Sequence, residues 1–158
     1  MPRSASVPFP GLAQFAPLAN TLGLIVVIFG LSILIPLGVS HALDDGAQRA
    51  YDGAVALTLA AGAVLWLASR RHAGELRVRD GFLLVAAVYL LLPGFATLPL
   101  LLQLEGLSFT DAYFETVSGF TASGGTVLSN LDRVPASINL WRAQLIRMGG
   151  LGVVVLAV

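Results

Sequence analysis

Residues 22–39 read LGLIVVIFGLSILIPLGV, without one charged side chain. A helix that crosses the hydrocarbon core of a bilayer needs about 20 mostly apolar residues, so this run is close to spanning length. Residues 54–68 (AVALTLAAGAVLWLA) repeat the pattern, shorter but uninterrupted. Residues 81–102 repeat it again, uncharged and with Pro93 and Pro99 inside. A fourth run opens near Leu140 and is still apolar at Val158. Composition points the same way. Only 11% of residues are charged and 56% are apolar, against roughly 25% charged in a soluble domain. Too little charge remains to solvate a water-facing surface. A net charge of zero removes the electrostatic basis of nucleic-acid binding. The absence of Cys excludes disulfides and thiolate metal sites. What remains is an all-helical integral membrane protein.

The first run begins some twenty residues in and exceeds the roughly 7–15-residue apolar core of a signal peptide, so it is read as a span. Pro36 predicts a kink near one end of it, where a backbone donor is missing. Residues 1–20, mixed in Pro, Ser and Ala, read as an interfacial segment.

Arginine sets the expected orientation. The loop after the second span carries Arg70, Arg71, Arg77 and Arg79, whereas the loop after the first carries Arg49 against Asp44, Asp45 and Asp52. Basic loops stay cytoplasmic, which places the N-terminus inside. The Arg cluster itself needs no partner beyond water.

Residues 104–139 do not read as a plain connecting loop. Asp111 to Gly119 predicts a helix of two to three turns, about 13 Å long at 1.5 Å per residue, or half of a ~30 Å core. A run of small and hydroxyl-bearing residues follows, Phe120-Thr121-Ala122-Ser123-Gly124-Gly125-Thr126, and then a polar turn to Pro135. A half-length helix, a glycine-rich strand and a polar exit describe a re-entrant loop. Non-helical backbone survives at membrane depth only where it lines a wet cavity or is buried in protein. There, carbonyls can replace the water shell of a cation. Oxygen ligands without a carboxylate suit a monovalent ion better than calcium or magnesium. The competing reading is an ordinary extracellular loop with a glycine-rich turn.

The run from Asp111 onward resembles the first pore segment of the Trk/Ktr/HKT potassium transporter superfamily, and most of all its bacterial TrkH-type membrane subunits. The similarity rests on several pieces. Asp111-Ala112, Phe114-Glu115 and Ser118-Gly119 match the pore helix, and Thr121-Ala122-Ser123-Gly124 stands where the family has a Thr-Thr-Thr-Gly-like filter. Leu131-Asp132 with Pro135 matches the following turn, and Trp141-Arg142 with Gly149-Gly150 and Gly152 the next helix. Arg79-Asp80-Gly81-Phe82 and Leu98-Pro99 are similar at the two ends of the third span.

The resemblance implies four hydrophobic helices, with one re-entrant pore helix and filter loop between the third and fourth. The expected organisation is an interfacial segment (1–20), two accessory helices (21–69), a cytoplasmic Arg-rich loop (70–80) and the first helix–pore loop–helix unit (81–158), truncated in its second helix. Such subunits are similar to four fused copies of that unit around one ion path. This chain would then be an N-terminal fragment in need of the remaining pore units, inactive alone because one filter strand gives a quarter of a cage.

By resemblance the carbonyls of Thr121, Ala122, Ser123 and Gly124 face potassium, with Gly125 shaping the exit. Ala122 and Ser123 depart from the commoner threonines, which leaves carbonyl ligation intact but puts potassium-over-sodium selectivity in doubt. Gly124 fits the potassium-preferring type. The C-terminal end of the pore helix, near Ser118 and Gly119, would turn its partial negative charge toward the ion. Asp132 sits at the outer mouth or is simply a solvated turn carboxylate. Glu115, costly to hold charged within a membrane, pairs with Arg142 or Arg147. Arg147 either reaches to the outer interface or clamps the pore helix. Gly149, Gly150 and Gly152 would let the fourth span approach a neighbour closely.

The implied function is potassium uptake across the cell (inner) membrane, with potassium as substrate and no cofactor. Implied partners are a second copy in a homodimer, a cytosolic nucleotide-binding regulatory subunit and membrane lipid. An enzyme is not indicated. His41 and His72 fall on opposite faces, and no GxxxxGK, GxSxG or HExxH occurs. The alternative is a non-transporting membrane scaffold or accessory subunit.

Overall fold

The structure, a computed structural model, describes residues 15–70 and 77–157, with side chains at all of these except 78 and 153–157. Most of the interfacial segment, together with Arg71 and His72, lies outside the described residues. Six α-helices follow in order: α1 (Ala16–Ser32), α2 (Leu34–Leu43), α3 (Gln48–Ser69), α4 (Val78–Gln103), α5 (Phe109–Phe120) and α6 (Ala136–Ala157). A single 3₁₀ turn, Leu131–Arg133, precedes α6.

Among the described residues, three stretches are long and apolar enough to cross a membrane: Ala16–Leu43, Gln48–Ser69 and Arg79–Gln103. The fourth expected span, α6, is a 22-residue helix that carries Arg142 and Arg147, and on its described residues it does not join that set. The other spans are longer than their apolar cores. The second begins six residues before Ala54, because Gln48, Arg49 and Asp52 are helical without being apolar. The first begins at Ala16, so the last residues of the expected interfacial segment are already helix.

The first span breaks at Ile33, three residues before Pro36. Proline has no N–H to give the carbonyl four residues back, here that of Ser32. The orphaned oxygen is taken by the Gln144 side-chain amide of α6 at 2.9 Å. A sequence-local defect is thereby satisfied by a distant helix.

α1 and α3 pack antiparallel through glycines. A Cβ at Gly23 would come within 2.6 Å of the Trp66 backbone nitrogen, and one at Gly62 within 2.8 Å of that of Val27. Small residues let helix backbones approach where lipid supplies no hydrophobic drive. In α4, Pro93 and Pro99 interrupt the ladder of backbone bonds, and side chains of neighbouring helices reach its carbonyls nearby. Tyr113 donates to Leu90 O (2.9 Å), Thr116 to Pro93 O (3.0 Å) and the Trp141 indole to Ala96 O (3.1 Å). These bonds bind α5 and α6 to α4. The core closes on Phe120, the last residue of α5. Phe29 lies 5.7 Å from its ring and 5.6 Å from that of Trp141, centroid to centroid.

The loop between α2 and α3 also reaches α6. Asp45 Oδ2 accepts the Ser137 N–H at 2.8 Å, while Oδ1 accepts the Ser40 hydroxyl and the Ala47 N–H. Burial opposes the charge on Asp45, but these bonds outweigh it and hold the carboxyl below its ordinary value of 3.8. A carboxyl depressed by folding stabilises the fold above its unfolded pKa, and that contribution is lost as pH falls through the folded one. Between about pH 5 and pH 3, the stability of an Asp45→Asn variant is therefore expected to change less than that of the parent. Chemical denaturation followed by tryptophan fluorescence at the two pH values checks this, and equal losses would refute it.

Candidate functional site: a capped short helix and the strand that leaves it

α5 is built to start and stop sharply. Ser108 accepts the Asp111 N–H at its N-terminus, and its hydroxyl donates to the Asp111 carboxylate at 2.8 Å. Twelve residues give about 18 Å of helix at 1.5 Å per residue.

The other end closes in a Schellman cap. The Ala122 N–H bonds to Gly119 O and the Ser123 N–H to Ser118 O, both at 3.0 Å. The cap requires a left-handed residue just past the helix, usually glycine. Here Ala122 takes that position at φ 53°, a strain of about 1 kcal/mol or more for a residue with a Cβ. The cap engages the Ser118 and Gly119 carbonyls, and the helix end adds its dipole there. Gly124 follows at φ 76°, and from Ser123 to Asn130 the chain is irregular and mostly exposed.

Two anchors hold this strand. The Ser118 hydroxyl donates to Gly125 O at 2.6 Å and lies 3.1 Å from the Ser123 hydroxyl. Beyond it, the buried Glu115 carboxylate accepts the Thr126 hydroxyl at 3.0 Å and the Val127 N–H at 3.0 Å. Arg142 Nε donates to the same carboxylate at 2.6 Å, and its terminal nitrogen reaches Thr126 Oγ1 at 3.1 Å. α5, the strand and α6 are thus joined at one buried ion pair. Ahead of both anchors, the carbonyl oxygens of Thr121, Ala122, Ser123 and Gly124 accept no hydrogen bond from the described residues. Gly125 differs, since its carbonyl is already engaged.

Of the two arginines offered to Glu115, Arg142 makes the pair. Arg147 is exposed and contributes to neither anchor. Asp132 is exposed in the 3₁₀ turn. The three glycines of α6 divide. A Cβ at Gly149 would overlap the Phe120 carbonyl, one at Gly150 would meet nothing within 4 Å, and one at Gly152 would lie 3.5 Å from the Tyr89 hydroxyl. Sequence reasoning missed Gln144 altogether, named Thr126 only as the last residue of the small, hydroxyl-bearing run, and saw Ser118 as a motif residue at the helix end without its bond to the strand. The signal for Ser118 was its i+3 spacing from Glu115, which puts both on one helix face.

The comparisons with known proteins meet this geometry. The family model for TrkH, described as cation transport protein, matches residues 48–158. The chain belongs to the TrkH family. It is 42% identical over 138 residues to the Trk system potassium uptake protein TrkH of Halomonas elongata, covering 87% of this chain and 29% of that protein. It is 38% identical over 146 residues to the protein of that name from Salmonella typhimurium. The crystal structure of the potassium transporter TrkH from Vibrio parahaemolyticus superposes with a TM-score of 0.85 at 36% identity, over 91% of this chain and 31% of that one. The chain therefore spans about 30% of the length of the curated TrkH relatives it matches. Membership of a family described as cation transport protein and three membrane-capable helices make it a multi-pass membrane protein.

Proposed function

We propose that this chain contributes one of the carbonyl-lined strands of a potassium uptake path, with Thr121, Ala122, Ser123 and Gly124 facing the ion and Gly125 fixing the exit. The observation that carries the reading is how the strand is held. The carbonyls of Thr121 to Gly124 accept no hydrogen bond from the described residues, and the residues after them are tied down at Gly125 O, the Thr126 hydroxyl and the Val127 N–H by Ser118 and the Glu115–Arg142 pair. Carbonyls held in place by their neighbours can replace a cation's hydration without having to reorganise first.

In this reading α1 to α3 form the accessory helices. α4 to α6 form the first of several pore units, the others lying in the part of the relatives that this chain does not span. Asp132 raises the local cation concentration at the mouth. The α2–α3 loop and the head of α6 lie at one end, joined through Asp45 and Ser137; that end is outside, and the N-terminus is cytoplasmic at the inner membrane. The whole assembly works as a homodimer with a cytosolic nucleotide-binding regulatory subunit.

The test is a chimera in which this chain replaces the matching third of the Vibrio parahaemolyticus relative, expressed in a strain deficient in potassium uptake. Growth at low external potassium and rubidium uptake are expected. Gly124→Ala, which forces a Cβ onto a left-handed residue, is expected to reduce uptake at least tenfold at equal membrane abundance. A chimera that reaches the membrane and carries no rubidium would favour the scaffold reading.

A further inference from the structure

We infer that Asp45, in the loop between α2 and α3, is a positioning residue for the Thr121–Gly125 strand, acting through the head of α6. This rests on the reading of that strand as the ion-facing one.

A helix N-terminus leaves its first N–H groups without intrahelical partners, and the residue before the helix commonly supplies a side-chain oxygen to one of them. In α6 that position is Pro135, which has no such oxygen. The missing acceptor comes from 92 residues away: Asp45 Oδ2 takes the N–H of Ser137, the second residue of the helix, at 2.8 Å. The carboxylate is itself held by Ser40 and Ala47, and its negative charge stands against the positive end of the α6 dipole. Ser137 and Tyr51 are fully buried beside it.

Five residues on, about 7.5 Å along the axis, Arg142 of the same helix grips Glu115 and Thr126. Asn139 between them donates to Leu131 O at 3.0 Å, holding the turn that follows the strand. The head of α6 is therefore the part of that helix on which strand placement depends. Asp45 fixes its height and direction, as Gln144 does lower down through Ser32. Asp45 also lies before the first residue of the family-model match and Ser137 within it, so the contact ties the segment that precedes the match to a helix inside it.

The experiment compares Asp45→Ala and Asp45→Asn with Asp44→Ala, a neighbouring carboxylate that bonds only the Gln48 side chain. Two measurements are made. In the chimera, Asp45→Ala is expected to raise the KM for rubidium three- to tenfold at unchanged membrane abundance, with Vmax within twofold. Asn, whose oxygen can still accept the Ser137 N–H, restores most of the loss, and Asp44→Ala is silent. In the membrane-inserted 158-residue protein, where transport plays no part, hydrogen exchange at the Val127 amide is expected to quicken at least fivefold in Asp45→Ala only. An unchanged Val127 exchange rate overturns the positioning role whether or not the chimera transports. Lost abundance or Vmax with KM and exchange unchanged reduces Asp45 to a scaffold residue and overturns it too. If the parent chimera carries no rubidium while Val127 exchange still responds to Asp45, the transport reading fails and the mechanical link stands.

Discussion

Gly149→Ala is expected to destabilise this protein more than a methyl group added at either of the other two glycines of the α6 motif, and Gly150→Ala beside it is expected to be neutral or mildly stabilising. The built Cβ at Gly149 overlaps the Phe120 carbonyl and falls 2.8 Å from its Cα. The obstacle is backbone, which cannot rotate away as a side chain can. α6 would have to retreat from the end of α5, and Phe120 is where α1, α4 and α6 converge. Overpacking of a well-filled core costs about 1–3 kcal/mol and occasionally more; with no flexible neighbour to yield, the upper end applies. At Gly150 nothing lies within 4 Å, and alanine is the better helix former by about 1 kcal/mol. Thermal unfolding of the two purified variants in detergent separates them. Equal midpoints would show that α6 does not rest on the Phe120 backbone.

Much of the fold was legible as apolar length. The three spans announce themselves because the bilayer admits few alternatives, and their errors lie at the ends, where polar first turns such as Gln48 to Asp52 are helical without an apolar signature. Pro36 forecast a break, but its position at Ile33 follows from which carbonyl loses its donor. The short helix was legible from capping chemistry at Thr110-Asp111 and the helical spacing of Phe114, Val117 and Ser118, though it runs two residues earlier and one later than expected; its Schellman cap was not, because Ala122 stands where glycine would have flagged it. Glu115 demanded a cation by its cost alone. Its partner was undecidable without coordinates: Arg142 and Arg147 are five residues apart, about 140° around the helix at 3.6 residues per turn, so only one can face α5. The Asp45 cap of α6 and the Gln144 bond to Ser32 join residues 92 and 112 positions apart. No local pattern encodes either.

The ion pair at Glu115 gives the second large effect, and the asymmetry between its partners makes it diagnostic. Arg142→Met would leave the carboxylate, whose side chain is 3% exposed, with only the Thr126 hydroxyl and the Val127 N–H. Removing one partner of a buried pair costs about 3–5 kcal/mol, because an uncompensated charge remains. Glu115→Gln should cost less. The amide oxygen can still accept the Val127 N–H, and the Arg142 side chain, 18% exposed, has water within reach. Once Glu115 has been neutralised, the further change to Met strands no anion, so the double variant should be more stable than the sum of the singles predicts. A coupling of about 1–3 kcal/mol lies in the range measured for contacting groups. Urea unfolding of the four proteins in one detergent supplies the cycle. Additive losses would mean that Arg142 holds the strand through Thr126 alone, with the carboxylate stabilised by its hydroxyl and amide donors.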